Sequence, residues 1–90
     1  MPVRTARIVN RKGLHARAAA AFARTAGDFS CDVQVSRSGT TVSGQSIMGL
    51  MMLAAAQGTT IDIRAEGPDA GAALGALEKL IAGGFGEGPG

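Results

Sequence analysis

The chain has no Trp, no Tyr and only three Phe in 90 residues. So few aromatic rings speak against the stacking platforms on which single-stranded nucleic acids lie. One cysteine, Cys31, excludes an intrachain disulfide framework, and one histidine, His15, excludes a His cluster for a metal. No metal site and no cofactor are expected. The longest uncharged stretch runs from residue 38 to 61, but its apolar heart, residues 47–56, is interrupted by Gly49. A membrane span needs about 20 apolar residues, so this stretch is read as a core or docking helix without membrane insertion. The first ten residues alternate charge with short apolar side chains and lack a signal-peptide core, so a cytoplasmic protein is expected.

Acidic residues are absent from positions 1–27, which hold Arg4, Arg7, Arg11, Lys12, Arg17 and Arg24 and therefore carry +6. The remaining residues hold three bases and seven acids, for −4, and the chain as a whole carries only +2. A positive third of this kind suits an acidic partner, an anionic ligand or a phosphate, and composition does not choose among them.

Hydrophobic periodicity divides the chain into seven elements. Residues 3–10 and 31–36 read as strands, with Cys31, Val33 and Val35 facing inward, and Ser38-Gly39 marks a hairpin to a short strand near 40–43. Residues 60–66 alternate again, with Ile61, Ile63 and Ala65 inward and Asp62 and Glu66 on the solvated face of an outer strand. The alanine-rich residues 16–26 form a helix with Ala19, Phe22, Ala23 and Ala26 on one stripe. A second helix runs from Ile47 to about Ala54 behind Ser46. A third, after Gly67-Pro68-Asp69, has Ala70, Ala73, Leu74, Leu77 and Ile81 on one stripe. The order β-α-β-β-α-β-α predicts an α+β fold in two layers, an antiparallel four-stranded sheet covered on one face by three helices. Residues 1–83 form the domain, and 84–90 read as a Gly-rich flexible tail. Nothing requires more than a monomer.

His15 stands where a loop meets the alanine-rich helix. Unpaired N–H groups and the positive dipole end there receive anions and disfavour imidazolium, which favours a neutral, nucleophilic ring. A phosphoryl group on that ring would meet the amides of Ala16, Arg17 and Ala18 and the Arg17 guanidinium. On these residues alone, a plain loop histidine beside a solvated arginine is the commoner case. Ser46 is likewise a preferred helix cap whether or not it is ever modified.

Gly13-Leu14-His15-Ala16-Arg17-Ala18-Ala19 resembles the active-site signature of the HPr family, the histidine-containing phosphocarriers of the bacterial phosphotransferase system. Residues 46–53 are similar to that family's regulatory-serine motif, and residues 57–63 with 65–67 resemble its last strand and turn. The resemblance covers residues 3 to about 82 in the right order and spacing. It implies an open-faced β-sandwich and a carrier, not a free-standing enzyme. Such a carrier accepts phosphate from phosphorylated Enzyme I on His15 Nδ1, with Arg17 at the phosphate site, and passes it to an enzyme IIA domain of a sugar or nitrogen system. It also implies that Ser46 matches the serine modified in many members by HPr kinase/phosphorylase. Arg24, Ile47, Met48 and Met51 then fall on the partner-docking surface. The family usually has Pro where this chain has Ala18, a departure expected to tune the rate and leave the chemistry intact. Two other readings stay open: a purely regulatory protein acting through Ser46, and an RNA-binding module.

Overall fold

A computed structural model describes residues 2–87 of the chain. Four strands and three helices follow in the expected order: β1 (Val3–Arg7), α1 (Ala16–Gly27), β2 (Asp32–Arg37), β3 (Thr40–Ser43), α2 (Ile47–Met52), β4 (Thr60–Glu66) and α3 (Ala70–Ala82). The strands form one antiparallel sheet in the order β1-β4-β2-β3.

Alternation explains which face of the sheet is covered. In β4, Ile61, Ile63 and Ala65 are buried while Thr60, Asp62, Arg64 and Glu66 are exposed, so side chains of one parity meet the helices. The same parity runs through Val33 and Val35 of β2, aligned with Ala65 and Ile63 across the ladder. Helix α3 meets this layer with Ala70, Ala73, Leu74, Leu77 and Ile81, the stripe its sequence predicts. Helix α1 adds Ala18, Ala19, Phe22 and Ala26, with Ala23 partly buried beside them. The opposite face of the sheet is polar, and Thr5 Oγ1 donates to Asp62 Oδ1 across it at 2.7 Å. The β2–β3 hairpin turns through Ser38 and Gly39 at φ +50° and +83°, the pair of left-handed residues that a tight two-residue turn requires.

Three expectations are corrected. β4 is an inner strand, paired with β1 on one edge and β2 on the other. In a sheet with one solvated face, inner and outer strands carry the same alternation, which therefore does not locate an edge. Cys31 precedes β2 and is partly buried, and burial together with Asp69 and Asp32 pushes its thiol pKa up. Residues 84–87 do not trail away. Gly84–Gly86 form a short 3-10 turn, and Phe85, 9% exposed, joins the core. Burial of one phenylalanine ring outweighs the flexibility that the glycines lend. Residues 88–90 of the expected tail lie outside the described residues. No helix among the described residues is long and apolar enough to cross a membrane.

Candidate active site

The segment between β1 and α1 is fastened from several sides. Ile8 is fully buried and exchanges backbone bonds with residues 58 and 59: its N–H donates to Thr59 O and its carbonyl accepts from Gly58, both at 2.8 Å. Two residues on, Asn10 is buried with no exposed surface, and its Nδ2 donates to Gly13 O at 2.8 Å. Gly13 turns the chain at φ +65°, where an added Cβ would lie 2.5 Å from Ala55 O. Leu14 is anchored in the core and donates its N–H to that same Ala55 carbonyl at 2.9 Å. His15 is thereby delivered in an extended conformation as the N-cap of α1.

The first helical bond is Ala19 N–H to His15 O at 2.8 Å, and no side chain caps this end. The amides of Ala16, Arg17 and Ala18 precede that bond, so they are the donors a helix start leaves unpaired. No acid stands in the first turn to neutralise the positive dipole end. Arg17 is exposed, two residues along the helix from His15, and no ion pair holds it among the described residues. A shallow cleft of about 220 Å³ opens beside His15, lined also by Lys12, Leu14 and residues 54–56. His15, Arg17 and the helix amides therefore share the start of α1.

A residue that sequence reasoning missed completes the site. Glu87 sits against the histidine, its Oε2 2.5 Å from His15 Nε2, and its Oε1 accepts from Asn10 Nδ2 at 3.0 Å. These side chains are 26% and 23% exposed, so the contact is half-shielded from water. The Asn10 hydrogen bond first, then that from His15, hold the Glu87 carboxyl below the usual carboxylate range, with Lys12 adding to the effect and desolvation opposing it. No local motif announces Glu87, which stands 72 residues from its partner. The sole available signal was Phe85, an aromatic out of place in a free tail.

Ser46 caps α2, its Oγ accepting from Gly49 N at 3.0 Å. Helix α2 packs against α1 and β3, and Leu50 is its buried residue. Ile47, Met48, Met51 and Met52 keep 43%, 73%, 42% and 74% of their surface exposed, which adds Met52 to the apolar patch read from the sequence. Arg24 is exposed on α1. Arg4 pairs with Glu78 at 3.4 Å on the surface, joining β1 to α3. The aromatic residues stay off the open sheet face: Phe22 and Phe85 are in the core, and Phe29 is partly buried in the turn after α1.

Comparison with known proteins gives matches over most of the chain. The family described as the PTS HPr component phosphorylation site matches residues 3–83. The phosphocarrier protein HPr of Neisseria meningitidis is 52% identical over 81 residues, 90% of this chain and 91% of that one. That of Pseudomonas aeruginosa is 47% identical over 89 residues, 98% and 99% of the two chains. Among solved structures, HPr from Thermoanaerobacter tengcongensis superposes with a TM-score of 0.92 at 44% identity, over 97% of this chain and 98% of that one. With its seven elements, its histidine at the start of the first helix and a family match over residues 3–83, the chain belongs to the HPr family of phosphocarriers of the phosphotransferase system.

Proposed function

We propose that the chain acts as one cytoplasmic, monomeric phosphocarrier domain, with residues 84–87 packed as part of it. It takes a phosphoryl group from phosphorylated Enzyme I onto His15 Nδ1 and hands it to an enzyme IIA domain. The observation that carries this reading is His15 as the uncapped N-cap of α1, with exposed Arg17 two residues along the same helix. The incoming phosphorus forms a bond to the ring nitrogen as its bond to the donor group of Enzyme I breaks. The amides of Ala16, Arg17 and Ala18 and the Arg17 guanidinium receive the phosphoryl oxygens. Such preorganised donors need no rearrangement as the charge moves.

Arg24 with Ile47, Met48 and Met51 forms the docking surface for Enzyme I and the IIA acceptor. Exposed methionines on a short helix adapt to several partners, and the positive N-terminal third steers acidic ones. Ser46, beside that surface, is the site for HPr kinase/phosphorylase. A phosphate at a helix start is tolerated by the helix and repels an acidic partner. Phosphoenolpyruvate with Enzyme I is expected to label the protein once, with an acid-labile, base-stable phosphate. His15→Ala abolishes the label, and Arg17→Ala slows its transfer. Labelling retained in the folded His15→Ala variant would sink the assignment.

A further inference from the structure

The contact between Glu87 and His15 is built from both sides. On one side, Phe85 is buried, Gly84 and Gly86 adopt φ +65° and +84°, and Glu87 N–H donates to Gly84 O at 2.8 Å. These features turn the chain so that Glu87 meets the start of α1. On the other side, Asn10 is fully buried, and its Nδ2 supplies one bond to Gly13 O and another to Glu87 Oε1. Turning the amide over would set Asn10 Oδ1 against two acceptors, so this arrangement fixes Asn10 and through it the carboxylate. One carboxylate oxygen is thus held by the loop that also positions the histidine, and the other is free to face the ring.

An ionised carboxylate only accepts hydrogen bonds, so the ring nitrogen facing it carries the proton. Nε2 is that nitrogen, and Nδ1 has no partner among the described residues. We infer that Glu87 is a positioning residue of the phosphocarrier: it keeps the His15 proton on Nε2 and leaves the lone pair on Nδ1 for phosphorus. This inference rests on the carrier reading above and adds to it the residue that leaves Nδ1 as the free ring nitrogen. When the Nδ1 lone pair bonds to phosphorus, the electron pair of the breaking bond returns to the donor group of Enzyme I. The acceptor ring keeps its Nε2 proton and becomes positive. The Glu87 carboxylate lies against that charge, so no proton has to leave the site during transfer. A carboxylate that orients an imidazole and stabilises its positive form is the role an aspartate plays in catalytic triads.

The test separates the contact from the carrier reading. In ¹⁵N-labelled protein at mildly alkaline pH, the ring nitrogen shifts and their couplings to ring protons report the tautomer with no phosphate present. Wild type is expected to show one tautomer, protonated on Nε2. Glu87→Ala should raise the Nδ1-protonated fraction several-fold, and Glu87→Gln, which keeps an acceptor without charge, should raise it less. Both variants should accept phosphate from Enzyme I about tenfold more slowly or worse, the scale typical when a group orienting a functional histidine is removed. A tautomer ratio identical in wild type and Glu87→Ala would overturn the inference. A wild-type rate of phosphate acceptance in both variants would overturn the charge-balancing role. Failure of the wild type to be labelled by Enzyme I would remove the carrier reading instead, and the tautomer comparison would still decide what Glu87 does.

Discussion

Single residues set the shape of the histidine loop, and two of them do so at opposite cost. Gly13 adopts a left-handed conformation that glycine accepts freely, with the Ala55 carbonyl packed where a Cβ would go. Ala54, one residue before that carbonyl and also on the cleft beside His15, adopts φ +51° without being glycine. An L-residue there is strained by about 1–2 kcal/mol, partly offset by the lower chain entropy of alanine. Ala54→Gly is therefore expected to raise unfolding free energy by about 0.5–1 kcal/mol, read from the urea midpoint. Glu87 carries a pH dependence of known sign. Its carboxyl is held below the usual 4.5, chiefly by Asn10 and then by His15. The stabilisation is present above the unfolded-state value and is lost as pH falls through the lowered folded one. A ¹³C titration of the Glu87 carboxyl should give a midpoint below 4.5 in wild type, moving up toward it in Asn10→Ala.

At the scale of elements, α2 shows how little holds a six-residue helix. Helices this short are unstable alone, so capping and tertiary contacts must supply what length does not. Ser46 satisfies the Gly49 amide at one end, and Arg37 Nη1 donates to Leu53 O at 3.0 Å at the other. Both also agree with the helix dipole or its capping needs: an acceptor at the start, a cation at the finish. Ser46→Ala should lower stability by about 1 kcal/mol in urea denaturation, whereas Ser46→Asp should stay within about 0.5 kcal/mol of wild type because aspartate caps equally well. Stability alone thus distinguishes the cap from any regulatory use of this position. The cap also keeps α2 in place while Ile47, Met48, Met51 and Met52 stay exposed, as the proposed docking surface requires.

Over the whole molecule, one covered sheet face supports everything else. The core joins β2 and β4 to α1 and α3 and extends to Leu14 on the histidine loop and Phe85 beyond α3. The histidine loop, through Leu14, and Glu87, through Phe85, are thus both anchored in the same hydrophobic cluster, which holds the histidine and its carboxylate in register. Leu77 is fully buried in α3. Leu77→Ala should cost about 3 kcal/mol, a large share of the roughly 5–13 kcal/mol expected for a chain of this size, and a urea melt would show it. The same variant should loosen Glu87 through Phe85, because α3 and the turn after it pack together.

Periodicity and spacing determined much of this protein directly. The stripe of α3, the alternation of β4, the turn at Ser38-Gly39 and the cap at Ser46 were legible because each depends on neighbours within a few residues. His15, Arg17 and the amides between them were legible for the same reason, being consecutive on one helix end. What lay beyond the sequence depends on contacts between distant segments. The central place of β4 is decided by pairing with strands far away in the chain, and alternation is the same at an edge as inside. The left-handed Ala54 is imposed by the chain's path into the Ala55–Leu14 backbone bond, against its own preference. Glu87 reached the histidine only because one phenylalanine found the core and carried a glycine-rich end with it, a choice made by burial and invisible to local propensity.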